Sequence, residues 1–172
     1  MRQIRIGYGI DSHRIESRKI VSVLYRQEPK PLMLAGVLVS VELSPIAHSD
    51  GDVVLHAVTN AIFSAAGKRD IGHYFPDSDM RWHNADSRAM VGEALKIVRK
   101  DEWKPVNVAV AIIAKQPRLD THVDNMVGSL SGILGFKSKV DRVGITVTSG
   151  EGLGEAGAGE CIEAHATALL RR

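Results

Sequence analysis

From Ile4 to Ile10 the apolar side chains of Ile4, Ile6, Tyr8 and Ile10 alternate with Arg5, Gly7 and Gly9. A period of two is the geometry of an extended strand, whose successive side chains point to opposite sides of a sheet, so the segment is expected to be a strand with one buried face. It closes on Asp11-Ser12-His13, and the same alternation turns Asp11 and His13 to one side. In residues 49–67, Val54, Ala57, Val58, Ala61, Ile62 and Ala65 recur at helical spacing, and Gly67 is placed to stop the helix. His56 lies on this helix, which would carry it to the strand-end pair. One carboxylate and two imidazoles make a three-ligand site suited to Zn²⁺, with a fourth position open to water or substrate. The plainer account is that Asp11 caps a turn while His13 and His56 are ordinary polar residues.

The rest of the chain alternates helix and strand patterns. Residues 14–31 are charged and end in proline, which reads as a surface loop before a short strand in residues 32–40. Residues 68–88 are polar and read as an irregular loop. A second helix is expected from about Asp86 to Lys100 and a strand over residues 106–114. A third helix is marked by Val123, Met126, Val127, Leu130 and Ile133 and closed by Gly135. Val143, Ile145 and Val147 then alternate with Gly144, Thr146 and Thr148; a glycine-rich turn fills 150–159, and residues 161–170 read as a last strand. The mixed order points to an α+β or α/β layer on one sheet. A length of 172 residues, 44% of them hydrophobic, suits a single domain over 1–172 with one core.

Composition closes off several functions. A formal charge of +2, from 22 basic and 20 acidic residues, offers no general polyanion surface, so nucleic acid is not an expected partner and any phosphate recognition is local. Cys161 is the sole cysteine, which excludes an internal disulfide and a multi-thiolate zinc site and fits a reducing compartment. No apolar run is long enough to cross a bilayer, and the charged start MRQIRIG lacks a secretory core, so a cytoplasmic protein is expected, without a membrane partner.

Three further clusters carry chemistry. His48, Ser49, Asp50 and Asp52 sit at the start of the 49–67 helix. Ser49 and Asp52 have capping-box spacing, and the free N–H groups of a helix start also favour an anion such as phosphate, so the group reads as a cap or as a phosphate seat. Asp52, one turn before His56, either orients that ligand from behind or serves as the cap alone. Asp70, Asp77 and Asp79 form a run of loop acids that solvation would explain; ribose hydroxyls need carboxylate acceptors, which is the sharper reading of Asp70. Thr148, Ser149 and Glu151 close a strand and enter the glycine-rich turn, where they either surround a phosphate with its divalent cation or form an ST-turn and a loop. Neither a Walker-type phosphate loop nor a dinucleotide fingerprint is present, so a nucleotide would be held another way.

In order, GYGIDSH, LMLAGV, AHSDGDVVLHA, RDIGHYFPDSD, NADSR, IIAKQP and TSGEGLG span nearly the whole chain. The series resembles the 2-C-methyl-D-erythritol 2,4-cyclodiphosphate synthases of non-mevalonate isoprenoid biosynthesis, and AHSDGD-x3-H followed by DIG-x2-FPD is its most specific part. The resemblance implies an α+β fold, a single-domain mixed sheet with helices packed on one face, assembled as a homotrimer with active sites between subunits. It implies a phosphorus-oxygen lyase that converts 4-diphosphocytidyl-2-C-methyl-D-erythritol 2-phosphate to the 2,4-cyclodiphosphate and releases CMP. By matching position, Asp11, His13 and His56 bind Zn²⁺, and Glu151 helps hold a second divalent cation, Mg²⁺ or Mn²⁺. His48 and Ser149 match the positions that stabilise the transition state; Asp70 matches the ribose carboxylate, with Ile71 and Gly72 beside it. Ala114, Pro117, Arg118 and Leu119 match the segment that reads cytosine largely through its backbone. Phe75, Asp77 and Asp79 match the part of the site around the methylerythritol unit, and the resemblance implies substrate contacts for Ser49 and Thr148 as well. Phosphoryl transfer needs positioning and charge neutralisation more than a protein nucleophile, which suits this set.

The chain departs from the family where relatives commonly read T-T-T-E-K-L-G-F-T-G-R. Ser149 keeps a hydroxyl, whereas Glu155 and Ala158 replace an aromatic residue and an arginine near the place where family trimers can hold an isoprenoid diphosphate. Weak or no binding of that central ligand is expected. Two other readings remain open: a metal-dependent phosphohydrolase, in which zinc activates water, and a nucleotide- or metal-binding trimer without turnover.

Overall fold

The first strand outruns its sequence pattern. In the computed structural model, which describes residues 3–136 and 142–172, β1 spans Ile4–Ser17, through Asp11-Ser12-His13 and into the segment expected to be a loop. Beyond it, Arg18–Ile20 and Val21–Tyr25 form short helical turns that bury Val21. Strands β2 (Leu32–Leu34) and β3 (Val37–Ser40) form a separate hairpin, and β4 (Leu43–Pro45) pairs with the far end of β1. Helix α1 (Val53–Ala65) and helix α2 (Ser87–Lys100) precede β5 (Lys104–Ile113). Helix α3 (Val123–Ile133), β6 (Val143–Thr148) and β7 (Cys161–Arg171) complete the chain. The main sheet has the order β4-β1-β7-β5-β6 and is mixed: β7 runs antiparallel to both β1 and β5, while β5 and β6 are parallel. This is an α+β fold, with the helices on one face of the sheet around a single core.

The buried side of β1 is the reverse of the expected one. Ile4, Ile6, Tyr8 and Ile10 are 65, 74, 52 and 47% exposed, whereas Gly7 and Gly9 are buried. The cause is the closeness of α1. A Cβ on Gly7 would lie 2.1 Å from the Ala61 carbonyl oxygen, and one on Gly9 2.2 Å from that of Ala57. The strand turns its side-chain-free stripe to the helix backbone, and Ala164, Ala166 and Ala168 of β7 continue that small-residue surface. The bulky stripe therefore faces away from the core, with the Tyr8 hydroxyl meeting Nδ1 of His165 across the same face.

Asp52, not Ser49, heads α1. Its Oδ1 accepts the N–H groups of Leu55 (3.1 Å) and Ala35 (2.9 Å), and its Oδ2 accepts that of Gly36 (2.6 Å). Ala35 and Gly36 both have positive φ in the β2–β3 turn, so one carboxylate closes the helix start and fixes the hairpin. Burial, with the Asp50 charge adding to it, pushes the Asp52 carboxyl up to about 6 against those three N–H donors. Asp52→Ala is expected to cost about 2–4 kcal/mol, from the lost cap and two buried N–H groups left unpaired. The melting temperature should fall by about 10 °C, read by calorimetry.

The ends of the helices follow their sequence signals. Gly67, at φ +69°, stops α1, and Asp86 caps α2 by accepting from the Arg88 N–H. The loop of residues 68–88 is more ordered than expected: Asp70 caps a turn at Ile71–Tyr74 and Asp79 one at Met80–Trp82.

Candidate metal centre and active site

Asp11 and His13 continue the stripe of β1 that Gly7 and Gly9 begin, so they project on the side where α1 lies. His56 leaves α1 beside them. Asp11 Oδ2 is 3.0 Å from His56 Nδ1 and 3.3 Å from His13 Nε2, and the two imidazole nitrogens are 3.1 Å apart. Nitrogen and oxygen ligands at roughly 2.0–2.1 Å from a tetrahedral ion stand roughly 3.3 Å from one another, so these three atoms fit a zinc-sized cation. Burial holds the His13 imidazole below its ordinary pKa despite the nearby Asp11. At His56 burial works against the charge too, but the hydrogen bond and charge of Asp11, with Asp52 and Asp50 behind, prevail and raise it. Without an ion, the pair keeps its proton on His56.

The other side of the His56 ring is also built. Its Nε2 lies 2.9 Å from Ser87 Oγ and 3.2 Å from Ser49 Oγ. Asp50 takes the Ser87 hydroxyl on Oδ1 at 2.5 Å and the Ser87 N–H on Oδ2 at 3.0 Å. With that hydroxyl committed to Asp50, Ser87 accepts from Nε2–H and leaves Nδ1 free toward the metal position. The orienting group is therefore Ser87 backed by Asp50, and not Asp52, whose oxygens are taken up by backbone N–H groups. Ser87 lies 31 residues from His56 and 37 from Asp50, a link that no local pattern reveals. Ser87→Ala should weaken zinc binding about 10- to 100-fold, measured by chelator competition, since groups that orient a metal-bound histidine carry that much affinity.

The triad forms one wall of a cleft of about 390 Å³ that also takes in His48, Ser49, Ile71, Gly72, Phe75 and Asp77. His48 Nε2 and Asp77 Oδ2 face each other at 4.0 Å, both largely exposed. Two expected residues lie elsewhere. Asp70 borders a neighbouring hollow with Asn60 and Lys68, and Asp79 is held in a two-pronged pair by Arg81.

The remaining candidates gather at the other edge of the sheet. Ala114, Arg118, Leu119, Thr148 and Ser149 line a hollow of about 240 Å³. Next to it the Gln116–Pro117 peptide is cis, and Glu151, at φ +51°, accepts the Ser149 hydroxyl at 3.2 Å. Asp11, Ala164, Ile112 and Val147 stand in one row across β1, β7, β5 and β6. Three strand spacings of about 4.8 Å put Ser149 roughly 14 Å from the metal ligands within one chain. The two clusters share one end of the sheet but do not meet.

The YgbB family model matches residues 4–171. The 2-C-methyl-D-erythritol 2,4-cyclodiphosphate synthase of Idiomarina loihiensis is 39% identical over 168 residues, covering 98% of each chain. A solved structure of a 2C-methyl-D-erythritol-2,4-cyclodiphosphate synthase in its CDP-bound form superposes with a TM-score of 0.82 at 37% identity, over 96% of this chain and 99% of that one. The bifunctional IspDF of Campylobacter jejuni gives a TM-score of 0.88 at 30% identity, over 99% of this chain and 43% of that one. With its full-length match in sequence and in fold, the chain belongs to the YgbB family, that of the 2-C-methyl-D-erythritol 2,4-cyclodiphosphate synthases.

Proposed function

We propose that the protein converts 4-diphosphocytidyl-2-C-methyl-D-erythritol 2-phosphate to 2-C-methyl-D-erythritol 2,4-cyclodiphosphate and CMP. The observation that carries this reading is the Asp11–His13–His56 cradle opening into the cleft beside His48. A 2-phosphate oxygen attacks the β-phosphorus, the bond from that phosphorus to the bridging oxygen breaks, and CMP leaves with the electron pair. Zn²⁺ held by the triad would polarise the β-phosphate, and a second divalent cation, Mg²⁺ or Mn²⁺, would be held with help from Glu151. His48 and the Ser149 hydroxyl donate to phosphate oxygens as charge shifts between them. Asp70 accepts from the ribose hydroxyls, beside Ile71 and Gly72. The 114–119 segment, with Pro117, Arg118 and Leu119, takes the cytosine. Ser49, Phe75, Asp77, Asp79 and Thr148 border the remaining substrate.

The roughly 14 Å between the two clusters supports a site shared between copies, and the exposed stripe of Ile4, Ile6, Tyr8 and Ile10 supports a homotrimer that covers this face. Each copy would supply one half of each site. Residues 1–172 act as a single synthase-like domain in this reading, in the cytoplasm; no helix among the described residues is long and apolar enough to cross a membrane.

Phosphorus NMR of the zinc-loaded protein with this substrate should show CMP and the cyclic diphosphate appearing together, and only with divalent metal. CMP without the ring would replace the reading with hydrolysis, and silence would leave binding alone. Co-expressing His56→Ala with Ser149→Ala copies should restore turnover that neither variant has alone, because some sites in a mixed trimer are intact. No restoration would overturn the shared site.

A further inference from the structure

The carbonyls on either side of His48 are both held by one side chain from a distant segment. Lys30, half-buried ahead of β2, donates from Nζ to the Ala47 oxygen at 2.8 Å and to the Ser49 oxygen at 2.5 Å. Its own N–H donates to Oγ of the fully buried Ser44 at 2.9 Å, so the base of the side chain is anchored as well as its tip. The carbonyl of His48 itself accepts the Asn84 N–H at 2.9 Å. Residues 46–52 lie in neither helix nor strand, so these bonds, with those from the Ile46 N–H to the Arg14 oxygen at 2.9 Å and from the Asp50 N–H to the Ala85 oxygen at 3.1 Å, set the course of the backbone there. A hollow of about 290 Å³ bordered by Arg26, Lys30, His48 and His83 adjoins the metal cleft along Ala47, His48 and His83.

We propose that Lys30 is a positioning residue: by tying the carbonyls that flank His48, its ammonium fixes the direction of the His48 imidazole and of the Ser49 hydroxyl that meets His56. The inference rests on the functional reading of His48 given above. An ammonium suits this task because it offers several donors on one centre and can serve two carbonyls at once, and charge-assisted bonds are the stronger kind. A neutral side chain of the same length would fill the space and leave both carbonyls without that donor. Burial lowers the Lys30 pKa, whereas the carboxylates of Asp50 and Glu28 favour its charge.

The test compares the full-length, zinc-loaded wild type with Lys30→Met and Lys30→Arg. Displacing a reacting group by about 1 Å costs up to about 100-fold, so kcat for CMP release should fall about 10- to 100-fold in Lys30→Met, with KM within about threefold and zinc content unchanged. Lys30→Arg, which keeps the charge and its donors, should recover part of the rate. The imidazole nitrogen signals of His48, followed by NMR without substrate, should shift or broaden in Lys30→Met while those of His122 stay put. A kcat within twofold of wild type, zinc lost in step with activity, or unmoved His48 signals would each overturn the proposal. A wild type that releases no CMP would defeat the functional reading instead, and the NMR comparison would still decide the role of Lys30.

Discussion

Gly9→Ala is expected to unfold the protein at a temperature at least about 10 °C lower and to loosen zinc at the same time. The added Cβ would lie 2.2 Å from the Ala57 carbonyl oxygen and 2.5 Å from the Ala61 nitrogen, both backbone atoms of α1. No rotamer change can relieve contacts with a helix backbone, so the helix has to withdraw on the order of 1 Å along its buried face. Overpacking costs about 1–3 kcal/mol where side chains can yield; here the cost should exceed the top of that range. Asp11 and His13 ride the same stripe of β1, and His56 rides the helix that is pushed away, so the metal cradle opens as the packing fails. Gly144→Ala is the control, since that β6 glycine is exposed with nothing within 4 Å of its added Cβ. Its melting point should stay within about 2 °C of wild type. Normal melting and normal zinc uptake in Gly9→Ala would show that close helix–strand contact is not what assembles the site.

Zinc binding near pH 6.5 should release protons, chiefly from His56, because the metal displaces a proton that Asp11 helps to hold there. His13, whose pKa burial lowers, should give up the smaller share. Affinity should therefore rise with pH until the raised His56 value is passed and then level off. Calorimetry in buffers of different ionisation enthalpy counts the proton directly. His56→Ala should bind zinc more than about 100-fold less tightly and show no turnover, since removing a ligand costs more than removing its supporting group. The metal-free fold follows a different course. The raised His56 contributes stability that is complete below its unfolded value near 6.5 and is lost as pH rises through the folded value. The lowered His13 contributes stability present above that unfolded value and lost as pH falls through its folded one. The two act on opposite sides of that value, so this pair makes the stripped protein most stable near pH 6.5, while the zinc-loaded protein gains with pH. Tight zinc binding with no proton released would contradict the placement of the proton on His56.

Periodicity and end signals carried most of the element order. Gly67 and Gly135 close α1 and α3 as expected, and residues 161–170 alternate because β7 has one face on the core. Pattern reading failed where small residues did the packing: hydrophobicity favours Ile4, Ile6 and Ile10 for the interior, while the helix settles on glycine. It also ended β1 too early, since Glu16 and Ser17 are polar residues that pair with the edge strand β4. In the candidate site, the triad was legible because strand alternation and helical spacing each fix a direction. Asp50 and Ser87 as a pair were not, because their contact joins residues far apart in sequence. Nor does any motif reveal that β7 and β5 stand between the metal ligands and Ser149; strand order is a property of the whole fold.

The strand that carries Asp11 and His13 depends on a neighbour encoded about 150 residues downstream, because Ile4 to Arg14 pair with Cys161–Arg171. At about 5–20 residues per second, a ribosome takes roughly 8–30 s to make that intervening length. Through this interval β1 has emerged but lacks β7 along its hydrogen-bonding edge. Zinc present before then meets a cradle that has its residues but not its frame, so metal uptake waits for β7, and a chain cut short before Cys161 carries all three ligands without the strand that aligns them.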